Sequence, residues 1–320
     1  MGPAIFSGVL WILIILLGPT LSQAQGLKVT LLGTGTPAPE IERFGPSTLV
    51  EAGGNTFLFD CGRGVTQRLW QMKIRLGAVN SLFLTHLHSD HVVGIPDLWL
   101  TGWLPPPFGR RSTTFRVWGP TGTKEMMSYL ERAYQWDIRT RRADEKLPES
   151  GVAIVASDIA EGIAYEKDGV KITAFDVDHG DVIKPAFGYR IDYAGRSVVI
   201  SGDTRPSENL VRFAQGADVL IHEVAAAKEE LLRRSDVVRR IIGHHTTPEQ
   251  AGTVFARVRP KLAVYTHIVL LGDAADPAPA AQDLLGLTRK TYAGPLELGE
   301  DLMTIEVGDK VEVRRLTSPR

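Results

Sequence analysis

Cysteine is nearly absent from this chain. Of 320 residues only Cys61 carries a thiol, which excludes an internal disulfide framework. Net charge is nearly absent as well. Lysine and arginine number 36 against 37 acidic residues, a formal charge of -1. That balance excludes a chain that grips nucleic acid through overall basic excess, though not one with a local basic patch. Low-complexity tracts and short-period repeats are missing. The first 24 residues carry no charged side chain at all.

That uncharged start is an apolar run from Ala4 to Leu21, with "GVLWILIILLG" at its centre. It ends near Gly18-Pro19, and the small residues Ser22 and Ala24 then suit a signal-peptidase site before Gln25. Residues 1–24 therefore read as an export signal, with a periplasmic or secreted mature chain, although the run lacks the usual early Lys or Arg. The competing reading is a membrane anchor, since about 18 apolar residues approaches the lower limit for a span.

After Gln25 short apolar strands alternate with turns and helices. "LKVTLL", "STLVEA", "NTFLFD", "SLFL", "FRVW", "VKITAFDV", "FGYRIDY", "RSVVIS", "ADVLIHE" and "LAVYTH" read as strands. Val65 to Met72, Thr123 to Ala133 and Thr247 to Val258 have helical spacing. The last is announced by Thr247 as N-cap, Pro248 at the first helical position and Gln250 closing a capping box. The charged stretch from Arg139 to Gly151 reads as an exposed excursion. Interleaved strands and helices imply a layered α/β architecture.

Eight histidines are present, and nearly all stand where an apolar strand ends. His86, His179, His222 and His267 do so, and Asp60 and Asp203 are placed in the same way. Strand ends at one edge of a layered α/β fold converge, and the loops there carry the site. The densest cluster is "THLHSDH", in which His86, His88, Asp90 and His91 form H-x-H-x-D-H. Imidazole and carboxylate are ligands for zinc and similar metals. Alternate residues His86 and His88 can face one side of an extended loop while Asp90 and His91 turn to the other. That spacing suits two ions side by side.

These motifs resemble the metallo-β-lactamase superfamily, and within it the ribonuclease Z-like branch. The resemblance runs from about Leu27 to the C-terminus through "LLGTGTPAP", "FDCGRGVTQRL", "THLHSDHVVGIPDL", "VWGPTGT", "DHG", "SGDTRPSENL", "LIHE", "HHTTPEQAG" and "YTH". It implies a four-layer αββα sandwich over residues 25–320, with the site at one edge of two mixed sheets. By carry-over, His86, His88 and His179 hold one divalent ion, Asp90, His91 and His267 the other, and Asp203 bridges them. Zinc is the default, with manganese or iron tolerating the same ligands. The pair would acidify a shared water. Asp90 counts among the catalytic residues as well as the ligands. Glu223 and His245 resemble the pair that hands a proton to the leaving oxygen. Asp60 reads either as an acceptor orienting an imidazole or as a strand-end turn residue. His222 and His244 are left as structural, and Cys61 as a buried small residue.

The implied substrate is a phosphodiester, with RNA, and tRNA in particular, as the family's polymer; a homodimer is among the expected partners. Two stretches stand where a basic RNA-gripping arm is expected, "PPPFGRR" (Pro105 to Arg111) and "IRTRRADEK" (Ile138 to Lys146), and both are short. Arg63 replaces an acidic residue, and "IVLLGD" follows "YTH" where a Ser-Arg-Tyr-like tail is usual. Two other readings therefore stand beside the phosphodiesterase. One is an exported arylsulfatase or lactone hydrolase, and the other is a non-catalytic metal-binding protein.

Overall fold

The computed structural model describes Gly2 and residues 26–316. The apolar run and the cleavage point before Gln25, which carry the export reading, lie outside the described residues. Among the described residues no helix is long and apolar enough to cross a membrane.

The first half of the chain contributes β1 (Leu27–Gly33), β2 (Ser47–Ala52), β3 (Asn55–Phe59), β4 (Ser81–Phe83), β5 (Phe115–Gly119) and β6 (Ile154–Asp158). The second contributes β7 (Gly162–Lys167), β8 (Val170–Asp176), β9 (Phe187–Tyr193), β10 (Arg196–Ile200), β11 (Val219–Ala227), β12 (Leu262–Leu271) and β13 (Leu296–Leu298). The chain then returns to the first sheet with β14 (Thr304–Val307) and β15 (Val311–Arg314). The eight-stranded sheet runs β15-β14-β1-β2-β3-β4-β5-β6 and the seven-stranded sheet β13-β12-β11-β10-β9-β8-β7. Both mix parallel and antiparallel neighbours.

The helices are α1 (Val65–Gln71), α2 (Ser89–Val92), α3 (Ile95–Trp103), α4 (Thr123–Ala133), α5 (Gln135–Asp144), α6 (Glu149–Val152), α7 (Glu208–Phe213), α8 (Glu229–Arg234), α9 (Asp236–Ile242), α10 (Pro248–Val258) and α11 (Asp283–Thr288). Strand alternation sorts the side chains into three cores. Between the sheets lie Val29, Phe57, Phe83, Ile172, Ile191, Val198, Ile221 and Val264. On the outer face of the first sheet, Leu58, Leu82 and Val117 meet Leu69, Leu98, Trp99 and Met127 of the helices. On the outer face of the second, Val199, Leu220 and Ala263 meet Leu210, Val254, Phe255 and Leu284. Strands covered on both faces read as continuous apolar runs. The result is helix, sheet, sheet, helix: the αββα sandwich.

Two expectations need correction. Arg139–Gly151 is exposed over most of its length, but α5 carries it as helix as far as Asp144. Arg141 pairs with Asp137 at 2.9 Å and Glu145 at 2.7 Å, one helical turn to either side. Those i,i+4 pairs give a polar segment its helical support. Strands β11 and β12 also run past the residues at which the sequence ends them, because "VAAA" and "IVLL" extend their apolar patterns.

Candidate active site

Strands β3, β4, β8, β10, β11 and β12 point their C-terminal ends to one edge of the sandwich. The loop after β4 delivers His86 and His88, and α2 begins at once, carrying Asp90 and His91. This turn is pinned to the loop after β3 by backbone bonds, Cys61 N–H to the His91 carbonyl (2.7 Å) and Gly94 N–H to the Cys61 carbonyl (2.8 Å). Only glycine fits there, since a Cβ at Gly94 would stand 2.3 Å from the Gly62 carbonyl oxygen. His179 follows β8, and Asp203 follows β10 through Gly202, whose φ of 61° suits glycine. His267 sits inside β12, not at its end. The β11–β12 register slips between Glu223 and Val224, and His267 takes a left-handed φ of 42° at that bulge. A bulge re-aims a side chain, and here it turns His267 toward the cluster.

The structure brings all seven sequence-derived ligand candidates together. One donor atom each from His86, His88 and His179 lies within 4.8 Å of the others, and so does one from each of Asp90, His91 and His267. At the centre is Asp203 Oδ2. The Nε2 atoms of His267, His91, His179 and His86 stand 3.3, 3.4, 3.7 and 3.9 Å from it. Asp90 Oδ2 lies 3.3 Å from His267 Nε2 and 3.6 Å from His91 Nε2.

The far nitrogens of the rings are anchored. Asp60 Oδ2 is 2.7 Å from His91 Nδ1 and also accepts from the Thr85 hydroxyl at 2.8 Å. Thr85 Oγ1 is 3.0 Å from His86 Nδ1, and the His244 carbonyl accepts from His179 Nδ1 at 3.0 Å. Such outer contacts fix ring orientation in metal sites. His91 Nε2 is buried with no hydrogen-bond partner and faces the gap between the carboxylates. An orphaned imidazole nitrogen opposite an anchored one, among carboxylates, is a donor set that suits a divalent ion. The residues therefore fit the metals that the fold family implies.

Burial opposes charge on His91, yet the Asp203 and Asp60 carboxylates raise its pKa well above the usual imidazole range, while His86, His88 and His179 go the opposite way. Burial keeps His86 well below the usual imidazole range, lowers His88, and takes His179 to about 4, so these rings are neutral donors. Burial alone would raise Asp203, but the imidazoles of His267 and His91 hold it well below the carboxylate range. His245 lies beside this cluster, its ring centroid 5.1 Å from that of His179 and 5.6 Å from that of His267. Its Nδ1 is 3.1 Å from Glu223 Oε2, while Glu223 Oε1 accepts from the Thr246 N–H at 2.8 Å. Burial opposes charge on His245, yet the Glu223 carboxylate raises its pKa to about 9.

Sequence reasoning missed several parts of the site. Thr85 and the His244 carbonyl are placed by long-range packing and leave no local signal. The cavity over the cluster, about 500 Å³, is walled by Thr36–Ala38, Arg43, Ile241, His244 and Ile268–Leu271. His222 is buried against Phe255, its Nδ1 on the Glu223 carbonyl. Three of the basic residues in the arm candidates are committed elsewhere. Arg111 is fully buried and donates to the Trp99 and Leu98 carbonyls in the middle of α3. Burial takes it to about 9. Arg142 pairs with Glu149, and Arg141 with its own helix.

Comparison with known proteins agrees with this architecture. A Beta-lactamase superfamily domain matches residues 55–268. A Ribonuclease Z from Mycobacterium avium (strain 104) is 37% identical over 281 residues, 88% of this chain and 98% of that protein. The crystal structure of human tRNase Z, short form, superposes with a TM-score of 0.63 at 23% identity, covering 88% of this chain and 99% of that one. The metallo-beta-lactamase fold protein YhfI from Bacillus subtilis gives 0.67 at 18% identity, covering 88% and 100%.

These relatives correct the exported placement. They tie the chain, over nearly their whole length, to proteins named for acting on RNA, a substrate that an exported enzyme would leave behind. They give the arylsulfatase reading no support. With nearly complete coverage of a relative above 30% identity, and with a sandwich edge built from that constellation, the chain belongs to the ribonuclease Z family of metal-dependent hydrolases within the beta-lactamase superfamily.

Proposed function

We propose that this site cleaves a phosphodiester bond of RNA, with precursor tRNA as the leading polymer. One observation carries the reading: a carboxylate oxygen ringed by four imidazoles stands beside His245, whose Nδ1 is anchored 3.1 Å from Glu223 Oε2. His86, His88 and His179 would hold one divalent ion and Asp90, His91 and His267 a second, with Asp203 shared between them. Zinc is the ion such a histidine-rich set suits. When bound, two such ions supply Lewis acidity that offsets charge on the phosphoryl oxygens and acidifies a water.

The chain's own residues do the rest. Asp60, Thr85 and the His244 carbonyl hold three rings in place, so little reorganisation is needed as charge develops. Glu223 orients His245 through Nδ1, leaving Nε2 to donate a proton. That proton goes to the departing alkoxide, a poor leaving group without it. Asp90, against His267 Nε2, keeps that ring facing the cluster.

The test is kcat/KM of metal-loaded protein on precursor tRNA and on matched aryl phosphodiester and aryl sulfate substrates. Cleavage of the RNA, with the phosphodiester ahead of the sulfate, is expected. A sulfate preference with the RNA intact would refute the reading.

A further inference from the structure

His245 borders two cavities. One lies over the ligand cluster, and the other, about 620 Å³, opens on its far side. We propose that this second cavity binds the phosphate backbone of the RNA segment that carries the leaving oxygen. The proposal rests on the ribonuclease reading above.

The walls of the two cavities differ in kind. Arg205, Arg233 and Arg239 line the second cavity, with Glu229 as its only acidic side chain. They come from three separate elements, the loop after β10, α8 and α9. Arg205 is held by Asp178 at 2.7 Å and Arg233 by Glu230 at 3.1 Å, whereas Arg239 is held by Asp236 and also donates through Nη1 to the Leu232 and Arg233 carbonyls, which leaves Arg233 the freest of the three. Exposed ion pairs of this kind are weak and exchange readily with water, so they orient the Arg205 and Arg233 guanidinium groups without consuming them. A guanidinium has five donors in a fork that matches phosphate. In the cavity over the cluster, Arg43 is the one Lys or Arg, and its Nη1 is committed to Thr34 and the Gly299 carbonyl, each at 2.7 Å. Apart from Thr36 the rest of that cavity is acidic, imidazole or apolar, and it favours the scissile phosphate and a base over further phosphates.

Proton bookkeeping fixes the direction. The oxygen of water bonds to phosphorus, the P–O bond to the leaving segment breaks, and that segment takes the His245 proton. The proton released by water passes to solvent and His245 is recharged. The leaving segment therefore departs on the His245 side, where the arginines are. Its product carries the new hydroxyl end, and the other product carries the phosphate.

The experiment uses the metal-loaded full chain and its R233Q/R239Q variant. Arg205 is left alone, being two residues from Asp203. Oligoribonucleotides with a mapped cut carry one or six nucleotides on the hydroxyl-end side, the other side being fixed, and a reverse set varies the phosphate-end side. Wild type should gain about tenfold or more in kcat/KM from the longer hydroxyl-end side. The variant should keep less than about threefold of that gain, and its log–log salt slope should be shallower by about 1.4, two phosphates at roughly 0.7 each. Arg233→Gln alone, at an exposed side chain, should lose part of the gain. Metal content and Tm serve as controls for folding. Equal gains in both proteins, or a loss confined to the phosphate-end series, would overturn the proposal while the ribonuclease reading stands. If wild type cuts no oligonucleotide, both fall together.

Discussion

Each side chain at the sandwich edge has a separable task, so single substitutions should part binding from chemistry. His245→Ala removes a group whose hydrogen bond is to Glu223, although its ring borders His179, Asp203 and His267. Its metal content should stay intact while the rate falls by ~10²–10⁴, the usual range for a general acid. The loss should shrink for acidic phenol leaving groups, which depart without a proton, and a leaving-group series measures this directly. Asp203→Ala should instead lose at least one equivalent of metal by elemental analysis, because four imidazoles face that one oxygen. At this scale the sequence was informative where chemistry is local. His86, His88, Asp90 and His91 sit within six residues, and imidazole and carboxylate advertise their own use. Thr85, Arg43 and the His244 carbonyl act through contacts made by folding. The His179–His244 bond spans 65 residues, and no pattern in either segment announces it.

Elements position these residues, and the tightest joint is between the loop after β3 and the α2–α3 junction. A methyl group at Gly94 would enter the Gly62 carbonyl, a rigid backbone neighbour. Gly94→Ala should therefore cost about 1–3 kcal/mol, as overpacking does, and lower Tm in thermal unfolding. Since the same joint seats His91 against Asp60, the variant should also bind metal more weakly. An unchanged Tm would show that the joint yields freely. Element existence was readable from alternation and caps; α10 begins with the very Thr247–Gln250 capping box written in the sequence. Element ends were less readable. Strand β12 continues through His267 because its partner β11 supplies hydrogen bonds on both sides of the bulge, and pairing is not visible in one strand. Helix α5 was hidden for a related reason: its polar composition has no apolar stripe, and its support comes from charge pairs across single turns.

At the scale of the whole molecule, the proposed ligand set joins two sheets. His86, His88, Asp90 and His91 come from the first sheet's loops, whereas His179, Asp203 and His267 come from the second. The groups His86–His88–His179 and Asp90–His91–His267 each contain donors from both halves. An ion held there binds the folded chain and not the unfolded one, so it stabilises by RT ln(1 + [L]/Kd), about 4 kcal/mol at a free concentration of 1,000 Kd. The stabilisation is global because neither sheet can move from the other without breaking coordination. Calorimetry of the protein with added zinc and after chelation should show a Tm that rises with free metal and falls on its removal. Asp203→Ala should lose most of that response and His245→Ala should keep it, which separates a ligand from a proton donor without any activity assay. A metal-independent Tm in the parent protein would mean that the edge holds no ion tightly, and the two-ion assignment would have to be abandoned.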